Sequence, residues 1–294
     1  MNIKDYALCI FIMAIWGINF SMVKLGLNGI DPMLLTGLRF TLAVIPAIFF
    51  VKKPDVHLFY LIGYGLTFGV GVWGLSTWSI SSGLSPGMAA LLLQTNVIFG
   101  LCLGWFLLKE SVTPSRLIGS LISLSGLAVG LMVTDGSVNV QGVVLILVAA
   151  FAWSISGILI KKSNTKNAFA FTLWSMLFAP IPLFLISYFQ IGASAFTTLL
   201  DNLTGMAVFS ILYQAYATTL FGYWIWNRMI VLYPLSQVAP FTLLVPIFAI
   251  LGSNILFQEA ISLQKVLGCS LITFGLLIGS FSLKRVRSLV QLIM

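Results

Sequence analysis

Enzymes of most classes need a base beside a nucleophile, paired carboxylates, or a cluster of metal-ligating side chains. The 294-residue sequence offers little of this. Its single histidine, His57, stands at the edge of an apolar run, and none of its seven Asp and Glu residues falls near the middle of one. Cys9, Cys102 and Cys269 lie inside apolar runs, with no CxxC spacing and no neighbouring His or carboxylate. They read as core or lipid-facing residues, so neither a metal site nor a cofactor is expected. Phosphate-loop and dinucleotide glycine patterns are absent. The chain reads as a non-enzyme.

The remaining chemistry is recognition by uncharged polar and aromatic groups. Trp16, Asn19 and Phe20 share one helical face at i, i+3 and i+4. Trp153, Ser156 and Gly157 repeat that spacing. Tyr216, Thr219, Tyr223 and Trp226 form a third stripe, and Thr67, Gly71, Gly74 and Trp78 a fourth. Facing one another, such stripes would enclose a cavity with apolar walls and a few hydrogen-bonding points, suited to a small amphipathic solute. Taken singly, each aromatic reads first as an ordinary core or interfacial-belt residue. Gln94 and Asn96 are two apart, about 200° around a regular helix, so only Gln94 is expected to face the cavity, with Asn96 serving helix packing. Arg39 is a charge inside an apolar run. It either anchors a substrate carboxylate or phosphate, or bonds backbone carbonyls or snorkels to the interface. The substrate-binding candidates are Trp16, Asn19, Phe20, Arg39, Gln94, Trp153, Ser156, Tyr216 and Tyr223.

These residues require elements built for lipid. The chain is 60% hydrophobic and 7% charged, against roughly 25% charged in soluble domains, and its mean hydropathy is +1.08. Apolar stretches of about 20 residues, the length of a membrane span, are expected at 5–25, 32–51, 58–80, 86–108, 114–133, 141–160, 168–190, 203–226, 233–257 and 263–283. The first continues through Trp16–Phe20 without a small-residue cleavage pattern, so it reads as an uncleaved span. Short turn-rich connections make neighbouring helices antiparallel. With the N-terminus in the cytoplasm, twelve of the fifteen Lys and Arg residues fall inside; Lys24 and Lys265 fall outside and Arg39 within a span. That bias follows the positive-inside rule. It accounts for the net charge of +8 without a nucleic-acid partner, and makes both termini cytoplasmic.

The sequence also repeats. Trp16 and Lys24 recur as Trp153 and Lys161 at an offset of 137. At an offset of 149, Glu110 maps to Glu259, Thr113 to Ser262, Arg116 to Lys265, and Gly119, Gly126 and Gly130 to Gly268, Gly275 and Gly279. The glycines line one helical face and are expected to pack helix on helix. Five helices per half, an odd number, invert the second half. The fold class is therefore all-α integral membrane, ten transmembrane helices as an inverted 5+5 repeat, with halves at 1–136 and 137–294. Inverted repeats place a substrate site near the midplane between the halves. Pro240 and Pro246 break backbone bonding in the ninth helix and are candidate gating or kink positions.

Trp16–Leu27 (WGINFSMVKLGL), Gly37–Phe40 (GLRF), Pro46–Pro54 (PAIFFVKKP), Gly87–Gln94 (GMAALLLQ), Ala239–Pro246 (APFTLLVP) and Gln258-Glu259 together carry a resemblance. The sequence resembles EamA-type members of the drug/metabolite transporter superfamily over nearly its whole length, and looks most like the bacterial exporters of cysteine and O-acetylserine. The resemblance implies a central cavity, alternating access without ATP, and export of amino acids or related metabolites across a bacterial inner membrane. Import of a nucleotide-like or S-adenosylmethionine-like metabolite is the alternative within the class; a membrane enzyme or lipid-handling protein is the alternative outside it. The expected partners are a small-molecule substrate and the lipid bilayer, the chain being a monomer or homodimer.

Overall fold

The computed structural model describes residues 1–109, 112–233 and 235–280. Glu110, one of the repeat positions, and Lys284, Arg285 and Arg287, part of the charge tally, lie outside the described residues. Among the described residues every regular element is helical. Seven helices of the described residues are long and apolar enough to cross a membrane: α1 (Ile3–Gly26), α3 (Leu58–Ser81), α4 (Pro86–Leu107), α5 (Pro114–Leu131), α6 (Val140–Lys162), α7 (Ala168–Ile191) and α9 (Ala239–Phe257). Two apolar helices are shorter, α2 (Pro32–Ile48) and α10 (Leu263–Ser280). Between α7 and α9 the stretches Gly205–Leu212, Tyr213–Phe221 and Gly222–Leu232 follow one another without a break as α8.

Local sequence explains where these helices start. Asp31 accepts hydrogen bonds from the amides of Met33 and Leu34 ahead of Pro32, and Ser85 and Thr113 cap α4 and α5 ahead of Pro86 and Pro114. A side-chain acceptor at N-cap and proline at N1 satisfy or remove amides that a helix start leaves unpaired. Asn139, Asn167 and Thr204 do the same for α6, α7 and α8.

Inside the bundle, helix contacts pair across the two halves. α1 packs on α8 and α9, and α6 packs on α3 and α4; α2 meets α7, and α5 meets α10. The α5–α10 contact is backbone on backbone. Gly126 approaches Gly268, while Gly119 approaches Gly275 and Gly279, so the two helices run antiparallel. A methyl group on Gly126 would sit 2.8 Å from the Gly268 carbonyl oxygen. Ser123 Oγ adds a bond of 3.3 Å to the Ile272 carbonyl across the same seam. Only glycine permits this approach, so here the stripe serves packing, as its spacing indicates.

Two departures from regular helix recur in corresponding places. α3 is π-helical over Gly65–Gly74, and α8 over Tyr213–Phe221. α4 tightens at Gln94–Thr95, where amides bond three residues back, and α9 opens with a tight 3₁₀ stretch, Ala239–Leu243. α4 and α9 also end alike, with Lys109 and Gln258 in the left-handed region at φ 54° and 56°; the two positions stand at the repeat offset of 149.

Candidate functional site

A cavity of about 620 Å³ lies among the helices. α1 contributes Trp16 and Phe20; α3 contributes Tyr64, Phe68 and Trp73; α6 contributes Trp153; and α8 contributes Tyr223 and Trp226. These rings touch one another. Trp16 stands 5.3 Å from Tyr223 and 5.5 Å from Trp226, centroid to centroid, and Phe68 6.5 Å from Trp153. The indole of Trp16 is held by a bond of 3.1 Å from Nε1 to the Thr218 carbonyl. Polar groups enter from the irregular turns: Gln94 and Asn96 on α4, and Thr242 beside Pro240 on α9.

The π-helical stretches set which aromatics face inward. Nine steps of about 100° would put Trp73 opposite Tyr64 on a regular helix. A π-helix has i→i+5 bonds and turns roughly 82° per residue, so nine steps bring Trp73 back to the face of Tyr64 and Phe68. The sequence reading placed Thr67, Gly71, Gly74 and Trp78 on that stripe. Instead, Thr67 Oγ1 donates to the Gly63 carbonyl (2.8 Å), Gly71 abuts Ala152, and Gly74 abuts Leu183 and Met33. Tyr64, Phe68 and Trp73 were missed because nothing in residue order announces the change of pitch. The same effect splits the α8 stripe. Tyr223 lines the cavity, whereas Tyr216 is 40% exposed on the outside of the bundle. Seven residues that include π turns no longer close two turns.

The expectation that Gln94 and Asn96 diverge is also corrected: both line the cavity. Their 200° separation holds only for a regular helix, and α4 tightens at that point. Asn96 keeps a packing role as well, its carbonyl accepting from Ser154 Oγ at 2.7 Å.

Of the remaining candidates, Trp16, Phe20, Gln94, Trp153 and Tyr223 line the cavity with Pro240, while Asn19, Arg39, Ser156 and Pro246 are not in its wall. Asn19 is 0% exposed, and neither its Oδ1 nor its Nδ2 has a hydrogen-bond partner. Ser156 Oγ sits 3.0 Å from Thr67 Oγ1 and 2.9 Å from the Ala152 carbonyl, tying α6 to α3. Arg39 is also 0% exposed; its Nε donates to Thr219 Oγ1 at 3.2 Å. Pro246 is buried within α9.

The cavity extends along the starts of α5 and α9 and the end of α10, reaching Arg116, Ser120 and Gly279. The other end of the bundle carries two ion pairs. Lys24 Nζ lies 2.9 Å from Glu259 Oε1, and Lys265 Nζ 2.9 Å from Asp135 Oδ2. Burial pushes the Asp135 carboxyl up, but hydrogen bonds from Ser137 and Lys265 outweigh it and hold the group below the ordinary carboxylate value. Among the described residues no group of three or more His, Cys, Asp or Glu could hold a metal ion.

The chain is similar to known proteins along its length. Residues 4–132 and 140–281 match the EamA-like transporter family. A protein of Salmonella typhimurium described as a "Probable amino-acid metabolite efflux pump" is 34% identical over 97% of both chains, and its counterpart of the same description in Escherichia coli is likewise 34% identical over 97% of both. An "Uncharacterized transporter" of Archaeoglobus fulgidus is 26% identical over 94% of this chain and 98% of its own. A solved crystal structure, 16% identical, covers 92% of this chain and 94% of its own with a TM-score of 0.62, which shows a shared fold. A family match over both halves and relatives at this identity are sufficient: the chain belongs to the EamA-like transporter family, and it is a multi-pass membrane transporter rather than an enzyme.

Proposed function

We propose that this protein exports amino acids or related small metabolites across a bacterial inner membrane by alternating access between two inverted halves, residues 1–136 and 137–294, of five spans each. The cavity carries the reading. It is lined from both halves, is aromatic with a few amide and hydroxyl groups, and runs out to exposed Arg116 at its open end. Two full-length relatives whose descriptions name amino-acid metabolites support the substrate class. The inverted arrangement is supported by the antiparallel α5–α10 seam, the paired π-helical and tightened turns, and the matched helix ends at Lys109 and Gln258.

In this scheme Trp16, Phe20, Trp153 and Tyr223 shape the walls, and Gln94 offers the substrate a donor and an acceptor. The tightened turns at Gln94–Thr95 and Ala239–Leu243, with Pro240, are where α4 and α9 bend as the open end closes. The open end, rich in Lys and Arg by sequence, is cytoplasmic, with the N- and C-termini on that side; the paired-ion end faces outward. Cytoplasmic loading is the state an exporter needs for capture.

Reconstitution tests this. Purified protein in liposomes should carry an amino-acid metabolite down its gradient and bind it in a thermal-shift panel, since a ligand specific for the native state raises the melting temperature. Chemical conversion of the substrate, or no flux with any panel member, would sink the reading.

A further inference from the structure

Arg39 sits one ring away from the cavity. Its guanidinium carbon lies 4.1 Å from the centroid of Trp73, and Trp73 is part of the cavity wall. Phe40 contributes a second ring at 5.3 Å. Nε is bonded to Thr219 Oγ1, whose own hydroxyl donates to the Gln214 carbonyl at 2.7 Å inside the π-helical turn of α8. The fork that would grip a carboxylate, Nη1 and Nη2, is buried and has no partner.

Nor does an acid neutralise it. The other cations buried or half-buried against the bundle, Lys24 and Lys265, each have a carboxylate at 2.9 Å. Among the described residues Arg39 has no salt bridge, and no Asp or Glu lines the cavity. A permanently charged guanidinium in a water-poor interior is costly, and rings recover only part of that cost. An arriving anion would recover much more, because two parallel N–H bonds to a carboxylate are both strong and directional. The only charged side chain in the described wall, Arg116 at the open end, has the same sign and would draw anions toward the cavity.

We propose that Arg39 is the carboxylate receptor of the transport site, with Trp73 as a shutter that swings aside when substrate enters and lays the Nη1/Nη2 fork open to it. This rests on the export reading above and narrows it: substrates must carry a free carboxylate, while the aromatic wall accommodates the remainder.

Thermal-shift binding can decide it. Purified protein is titrated with protein amino acids, with their methyl esters, and with simple carboxylates such as phenylacetate. The expected result is stabilisation by acids and at least tenfold weaker binding of the matched esters. Arg39→Gln should lose that discrimination, binding acid and ester alike, and Arg39→Lys should restore part of it. Equal binding of acid and ester by the unaltered protein would overturn the proposal, and so would discrimination that survives in Arg39→Gln. Should Arg39→Gln fail to fold, Arg39→Lys takes its place, and discrimination there as full as in the unaltered protein would overturn the proposal. If simple carboxylates bind and amino acids do not, the receptor stands and the amino-acid reading falls. If no carboxylate binds, both fall.

Discussion

At the residue scale, Gln94 and Asn19 divide two kinds of polar group in an apolar bundle. Gln94 lines the cavity from a tightened turn, while Asn19 is fully buried outside the wall with both amide atoms unpaired. Gln94→Ala should cut transport strongly, about tenfold, since a lost hydrogen bond to substrate is worth roughly 1–3 kcal/mol; normal insertion with unchanged flux would remove it from the site. Asn19→Ala should alter melting temperature more than ligand affinity, and the opposite ranking in a binding titration would return Asn19 to the site. Asp135 gives a pH dependence. Its folded pKa lies below the ordinary value, so its contribution to stability is full above the usual carboxylate range of about 4 and is lost as pH falls through the depressed folded value. Melting temperature should therefore drop on acidification, with a shallower drop in Asp135→Asn.

Elements account for both the successes and the failures of reading the sequence. Helix starts were legible because Asp31-Pro32, Ser85-Pro86 and Thr113-Pro114 combine a capping side chain with a proline that needs no partner. The glycine faces of α5 and α10 were legible because i, i+7, i+11 spacing survives any packing partner. The face of α3 was not. Whether Trp73 points at the cavity or away from it depends on a π-helical pitch that residue order does not encode, and tertiary packing decides it. The placement of Asn96 was lost in the same way, to a tight turn within α4. The glycine seam makes its own prediction. Gly126→Val forces two backbones apart where a single methyl would already stand 2.8 Å from a carbonyl oxygen. It should destabilise by about 1–3 kcal/mol, read as a lower melting temperature in detergent; an unchanged value would mean the helices have slack.

At the scale of the whole molecule, the two ion pairs join opposite halves at the end away from the cavity mouth, Lys24 with Glu259 and Asp135 with Lys265. In the proposed alternating-access scheme they stabilise this conformation against the one open at the other end. A part-exposed pair such as Lys24–Glu259 contributes about 0–1 kcal/mol, so breaking it should shift the equilibrium by no more than about fivefold. Lys24→Glu should slow maleimide labelling of a cysteine placed at Ser120, in the cavity mouth, once exposed Cys102 is replaced. Adding Glu259→Lys should restore the rate. A single swap that leaves labelling unchanged would show that the pairs do not bias access.

The α5–α10 seam also bears on how the molecule is made. α5 leaves the ribosome 149 positions before the partner that covers its glycine face. At roughly 5–20 residues per second that is a wait of about 7–30 s, spent in the bilayer with a bare, small-residue face of the kind that associates with other helices. Chains halted before residue 263 should accordingly crosslink to one another through cysteines placed along α5, and full-length chains should not. The surface that closes the finished transporter is, during synthesis, its most exposed point of misassembly.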